Sequence, residues 1–150
     1  MNLIANTIRI AAEQSRVLEA ITTTAGHRGW WTSDCQVGAR AGDEAVFRFD
    51  AIEVVFRIDR VDGRGIEMTC VGERNQPDWL GTHLAIRAVA DGAGTYLDLL
   101  HDGYGAKSAC YDRCTGGWDH YLKSLRAYCE TGRGTPHKSM PQPRVAQPAG

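Results

Sequence analysis

Hydrophobic and polar residues alternate over several short segments of the chain, which is the pattern of β-strands with one buried face. The segments cover residues 2–10, 43–50, 51–61, 65–72, 79–90 and 95–102. Turn residues separate several of them, as at Asp62-Gly63 and Asp91-Gly92, and such turns favour antiparallel hairpins. The pattern therefore predicts a curved antiparallel sheet of six or seven strands.

Three other segments repeat their apolar residues every three or four positions, which indicates helices. A short helix is predicted over residues 11–22 and a second over residues 23–29. A long amphipathic helix is predicted over residues 106–130, with glycines after it that would end it. Its apolar side carries Trp118, Tyr121, Leu122 and Leu125.

The end of the chain has no such periodicity. Four of the five prolines fall after residue 135. Segments of this kind bury too little apolar surface to fold. We therefore expect one folded domain over residues 1–134 and a disordered tail over residues 135–150.

Composition narrows the class of protein. The net charge is −1 and the basic residues are scattered, which argues against a nucleic-acid partner. No run approaches the roughly 20 apolar residues of a membrane span, and the first residues do not resemble a signal peptide. Five cysteines form no paired framework, which favours reduced thiols and a cytoplasmic location.

Several local motifs match a known family in order and spacing. They are Ile-Arg-Ile-Ala-Ala at 8–12 with Val-Leu-Glu-Ala-Ile-Thr at 17–22, Gly-Trp-Trp at 29–31, the segment 94–103, and the segment 117–125 followed by 130–136. In these motifs the chain resembles the SRPBCC (START-like) superfamily, within the branch related to the activator of heat-shock-protein-90 ATPase. One segment departs from the family pattern, since residues 60–64 read Arg-Val-Asp-Gly-Arg where a Pro-containing turn is usual.

The resemblance implies an α+β helix-grip fold. In this fold about seven antiparallel strands curve around a long C-terminal helix, two short helices follow the first strand, and a cavity lies between sheet and helix. The superfamily includes lipid carriers, polyketide cyclases, hormone receptors and co-chaperones, so the fold does not select a function. The domain with which the full-length co-chaperone contacts the chaperone has no counterpart here, so chaperone contact is not expected.

Candidate cavity residues follow from the inward phase of the strands and of the long helix. His101 is in phase with Leu97 and Leu99, so its imidazole would either bind a ligand oxygen or bond to the backbone. For the neighbouring Trp30 and Trp31, core packing is favoured over ligand contact. The predicted set is Trp30, Trp31, Phe56, Met68, Trp79, Leu84, Ile86, Leu97, Leu99, His101, Trp118, Tyr121, Leu122 and Leu125.

No catalytic, metal or cofactor site is predicted. Cys110 and Cys114 share a helix face near His120, but a zinc site normally needs four ligands. Asp102 points to the opposite side of its strand from His101 and cannot orient that ring.

The leading hypothesis is therefore a cytoplasmic protein that encloses an apolar or amphipathic small molecule. One alternative is a cyclase or dehydratase using His101 and Tyr121, and another is a co-chaperone or interaction module. Exposed edge strands would allow a homodimer.

Overall fold

The computed structural model describes residues 2–104 and 109–138. The elements run in the order β1 (Asn2–Ile10), α1 (Gln14–Thr22), α2 (Thr24–Trp30), β2 (Asp34–Val37), β3 (Glu44–Phe49), β4 (Ile52–Asp62), β5 (Gly65–Arg74), a 3₁₀ turn (Pro77–Trp79), β6 (His83–Asp91), β7 (Gly94–Tyr104) and α3 (Ala109–Thr131).

The seven strands form one antiparallel sheet in the order β1-β7-β6-β5-β4-β3-β2. Strands β2 to β7 follow one another as a meander, and β1 pairs with the last of them along its whole length. The buried residues of α3, among them Leu122 and Leu125, belong to the same core as the sheet. This is the helix-grip fold, so the predicted fold class is confirmed.

The inward-facing side chains of the central strands fill the space between the sheet and α3. Large residues two apart on each strand are fully buried, because successive side chains of a strand point to opposite faces. On this inner face lie Phe47, Phe56, Ile58, Ile66, Met68, Leu84, Ile86, Leu97 and Leu99. The middle of the grip is therefore packed with protein side chains.

The first differences from the sequence prediction lie in two short segments. Strand β2 was not predicted, because four residues with Cys35 as the one buried member are too few to show an alternation. The strand predicted from residue 79 begins at His83 instead. Pro77 starts a 3₁₀ turn, as its fixed φ favours, and this turn buries Trp79 and leaves Leu80 exposed.

The segment that follows α3 is attached to the domain beyond the predicted boundary at residue 134. The backbone N–H of Thr135 donates to Ser124 Oγ (2.7 Å), whose hydroxyl donates to the carbonyl of Trp30 (2.7 Å). Further on, the N–H of His137 donates to the carbonyl of Trp31 (2.8 Å). The part of the predicted tail that covers residues 139–150 lies outside the described residues.

The β4–β5 hairpin offers a test of this packing. Gly65 has φ +146°, and a Cβ on it would collide with the carbonyl oxygen of Ile86 on β6. We expect Gly65→Ala to lower the free energy of unfolding by about 2–3 kcal/mol.

Gly63, in the same hairpin, has open space around the position of a Cβ. Gly63→Ala is therefore the matched control and should change stability by less than about 0.5 kcal/mol. Urea denaturation of both variants measures the difference, and equal effects would contradict the close approach of β5 and β6.

Candidate functional site

A pocket of about 430 Å³ lies at one end of the space between the sheet and α3, and it opens to solvent. Its volume falls within the range of about 300–1,000 Å³ typical of small-molecule sites. The lining residues come from the β3–β4 hairpin, the 3₁₀ turn, the end of α2, α3 and the segment after it. They are Trp31, Phe49, Asp50, Ile52, Val54, Gln76, Trp79, Gly117, Trp118, Tyr121 and His137.

Local structure explains how these residues converge. Phe49 and Ile52 are paired across the β3–β4 hairpin, which places both beside the pocket. Gly117 and Tyr121 are four residues apart on α3 and therefore share one helix face. Trp31 directly follows α2, where the chain turns toward β2. The pocket is thus assembled from distant parts of the chain.

Three tryptophans form the floor of the pocket. The ring centroids of Trp31 and Trp118 are 5.1 Å apart, and those of Trp79 and Trp118 are 6.2 Å apart with the planes inclined by 18°. All three side chains are buried. Aromatic rings at such distances attract each other and lose little freedom when packed. The floor is therefore a rigid aromatic surface.

A chain of hydrogen bonds holds two of these tryptophans in place. The indole N–H of Trp118 donates to Nδ1 of His101 (3.1 Å), so the proton of the neutral ring is on Nε2. Nε2–H then donates to Thr82 Oγ1 (2.9 Å). The Thr82 hydroxyl donates in turn to the carbonyl of Trp79 (2.6 Å). These hydrogen bonds link α3 to β7, to the residue before β6 and to the 3₁₀ turn.

His101 therefore bridges two side chains behind the pocket. It is fully buried behind the floor, it does not line the pocket, and both ring nitrogens are engaged by side chains. Burial lowers its pKa to about 3, with a smaller contribution from His83. The ring is neutral at physiological pH and acts as a structural bridge.

A second buried histidine supports the floor from another side. His27 Nδ1–H donates to the carbonyl of Thr23 (2.9 Å), and Nε2 has no hydrogen-bond partner among the described residues. The ring lies 5.3 Å from that of Trp30 and 6.1 Å from that of Trp31. Burial lowers the pKa of His27 to about 4, although its backbone hydrogen bond acts in the opposite direction.

Polar groups are concentrated at the rim of the pocket. His137 Nε2 lies 3.0 Å from Asp50 Oδ2, and the His137 ring is 5.6 Å from that of Phe49. Burial raises the pKa of Tyr121, which keeps its hydroxyl neutral. The rim can therefore offer hydrogen bonds to a bound molecule.

The structure divides the predicted cavity residues into two groups. Trp31, Trp79, Trp118 and Tyr121 line the pocket. The remaining predicted residues do not line it and lie within the buried interior: Trp30, Phe56, Met68, Leu84, Ile86, Leu97, Leu99, His101, Leu122 and Leu125. Large side chains fill the middle of the grip, so the free volume is at its end.

Sequence reasoning missed the other lining residues, and only some of them carried a signal. Phe49 follows Phe47 at a spacing of two residues, and Ile52 and Val54 precede Phe56 at the same spacing. This alternation could have indicated that all three residues lie on the inner face of the sheet. His137 carried no signal, because it falls in a proline-rich segment without periodicity. Also missed were Asp50, Gln76 and Gly117.

The described part of the chain gives little support for a metal site, a reactive thiol or a membrane-spanning helix. No three His, Cys, Asp or Glu side chains within residues 2–104 and 109–138 are grouped so as to hold a metal ion. Burial raises the pKa of the Cys35 thiol to about 11 and that of Cys129 to about 12, so both are unreactive thiols. The side chains of Cys110 and Cys114 lie outside the described part. None of the described helices is long and apolar enough to cross a membrane.

Comparison with solved structures identifies the fold, whereas comparison with sequence families finds no match. No protein-family profile and no curated protein matches the chain. Among solved structures, the Aha1 dimer from Colwellia psychrerythraea is similar, with a TM-score of 0.80 and 24% identity over 89% of this chain and 100% of that one. Protein CV1439 from Chromobacterium violaceum has a TM-score of 0.74 and 20% identity, over 86% of this chain and 97% of that one.

DynU16, a protein of the dynemicin biosynthetic locus, has a TM-score of 0.71 and 16% identity, over 89% of this chain and 49% of that one. These likenesses show that the chain has the same fold as these proteins. The resemblance drawn from the sequence motifs is thereby confirmed at the level of the fold.

The two buried histidines generate a prediction for stability against pH. Their pKa values are below the ordinary histidine value of about 6.5, so below that pH the unfolded chain binds protons that the folded chain does not. The free energy of unfolding should therefore fall as pH decreases from 6.5 toward 4. Each histidine contributes a slope of about 1.4 kcal/mol per pH unit.

Urea denaturation between pH 7 and pH 4.5 measures this slope. We expect His101→Gln to remove about half of it, since one of the two titrating rings is lost. A wild-type slope near zero would show that the two imidazoles are not buried in the neutral form.

Proposed function

We propose that this protein binds a small apolar or amphipathic molecule in the pocket between the β3–β4 hairpin and α3. One observation carries the proposal: a pocket of about 430 Å³ whose walls are mainly aromatic and aliphatic and whose polar groups lie at the rim. Sites for small molecules combine such apolar walls with a few polar groups that fix orientation.

Rigidity of the pocket floor supports this proposal. Trp79 and Trp118 are fixed through His101 and Thr82, so they lose little further freedom when a ligand arrives. A preorganised site of this kind binds more tightly than one that must order its side chains. The similarity to DynU16, a protein of a biosynthetic locus, also favours small-molecule chemistry over a purely structural role.

The alternative of a cyclase or dehydratase needed His101 and Tyr121 to polarise a ligand carbonyl. His101 does not line the pocket and its ring nitrogens are engaged, which removes the support for that mechanism. We therefore favour binding over catalysis by these residues. A cytoplasmic location completes the proposal.

Gly117 provides a direct test of binding in the pocket. It lines the pocket on the helix face of Tyr121, and a Cβ on it would meet no heavy atom of the described residues within 4 Å. Gly117→Leu should therefore fill the pocket without disturbing the core. We expect it to weaken binding of the neutral fluorophore N-phenyl-1-naphthylamine by about tenfold or more, measured by fluorescence titration.

Gly117→Ala is the matched control, because a methyl group occupies little of the volume. It should bind the fluorophore like the wild type and be up to about 1 kcal/mol more stable, since alanine favours a helix. Native mass spectrometry after incubation with mixed lipids and aromatic metabolites would identify retained compounds. Binding by neither assay, or equal binding by wild type and Gly117→Leu, contradicts the proposal.

We further propose that two copies associate through the edge of β1. This strand is at one end of the sheet, and Leu3 and Leu100 beside it are 49% and 40% exposed. A strand at the end of a sheet can pair with the same strand of a second copy. The similar Aha1 structure is that of a dimer.

A double variant, Leu3→Lys with Leu100→Lys, should shift the protein to monomer by sedimentation velocity, because lysines on the edge strand and on the strand beside it oppose association. Val71→Lys, at a 44% exposed position on β5, is the control and should leave the oligomeric state unchanged. A wild-type protein that stays monomeric at high concentration would refute the dimer.

A further inference from the structure

Tyr121 is a polar residue of the pocket wall whose ring is packed but whose hydroxyl has no protein partner. It lines the pocket from α3, and its ring centroid lies 6.4 Å from that of Phe49 on β3. Its hydroxyl makes no hydrogen bond with the described residues, and burial alone raises its pKa, without a contribution from a hydrogen bond or a charge. Hydroxyl groups in such surroundings are usually hydrogen-bonded. This one therefore has its full bonding capacity left for a bound molecule.

The chemistry of the phenol favours donation by this hydroxyl. The raised pKa keeps the proton on the oxygen throughout the physiological range. A phenol, with an ordinary pKa of about 10, is more acidic than an aliphatic hydroxyl and is therefore the better hydrogen-bond donor. The matching group on a ligand is an acceptor, such as a carbonyl oxygen.

Other polar groups of the rim already bond to the protein. His137 Nε2 lies 3.0 Å from Asp50 Oδ2, and the backbone N–H of Gln76 donates to the Glu73 carboxylate (2.9 Å). A ligand that used these groups would compete with bonds that are already made. Tyr121 can offer its hydroxyl without such a loss.

This hydroxyl gives the pocket a means of selection. A molecule without a polar atom would displace water from the hydroxyl and put no hydrogen bond in its place. Binding sites discriminate strongly against ligands that leave such a group unpaired. An oxygen that accepts the O–H restores the bond, and an uncharged oxygen suits walls that are mainly aromatic and aliphatic.

Resting on the proposed function, we infer that the pocket selects an apolar molecule bearing an uncharged carbonyl oxygen, which accepts a hydrogen bond from the Tyr121 hydroxyl. Tyr121 is then the residue that determines specificity, and the tryptophan floor supplies apolar contact. The ligand class is that of apolar ketones, esters and amides, and hydrocarbons of the same shape are disfavoured.

Two probes that differ only in the acceptor test this inference. The first, 2-acetylnaphthalene, carries a carbonyl group, and the second, 2-isopropenylnaphthalene, carries a CH₂ group in place of that oxygen. Equilibrium dialysis measures the dissociation constant of each. Tyr121→Phe removes the hydroxyl and keeps the ring beside Phe49. It should weaken binding of the ketone by about tenfold and leave binding of the hydrocarbon unchanged or slightly tighter.

Tyr128→Phe is the matched control. Tyr128 lies on the same helix and is not among the lining residues, and its hydroxyl is 3.5 Å from a carboxylate oxygen of Glu19. The variant loses the same atom as Tyr121→Phe, and it should alter neither dissociation constant.

The outcomes separate this inference from the proposed function. If Tyr121→Phe weakens both probes equally or weakens neither, the hydroxyl does not select the ligand and the inference is overturned. It is also overturned if the wild type binds N-phenyl-1-naphthylamine but not the ketone. In these cases the binding function stands as long as Gly117→Leu still blocks the fluorophore. If the wild type binds neither the fluorophore nor either probe, both the inference and the proposed function fail.

Discussion

The bond between the Trp118 indole and the His101 imidazole governs how the sheet and the helix meet. Both groups are buried, so each would lose hydrogen bonds to water if the other were displaced. Their mutual bond satisfies both and fixes α3 over β7 at one position along its length. Through Thr82 the same chain reaches the 3₁₀ turn, so Trp79 is set by the register of α3 as well.

This arrangement explains why the space between the sheet and α3 is filled with side chains in one part and open in another. In the middle, large apolar residues of the strands, such as Met68 and Leu99, are fully buried in the core that also contains the buried residues of α3. Toward the β3–β4 hairpin the helix presents Gly117, whose lack of a side chain leaves space above the tryptophan floor. The pocket therefore results from one small residue on the helix and a rigid surface beneath it.

The sequence predicted the fold well because its signals are local and periodic. Alternation along residues 51–61 and 95–102, and three-four spacing along α3, give both the element type and the buried face. The position of the pocket was harder to predict, because alternation reports the direction of a side chain and not the volume around it. The residues at its rim, Asp50 and His137, are brought together from positions 87 apart by the path of the chain after α3.

The segment after α3 has a consequence for how such a protein can diversify. His137 reaches the pocket on a stretch of backbone held by Ser124 and Trp31, outside the helix and the sheet. Substitutions or insertions there would reshape one wall while the hydrophobic interior keeps its packing. Recognition can therefore evolve in this segment at little cost to foldability, which suits a scaffold shared by proteins of very low sequence identity.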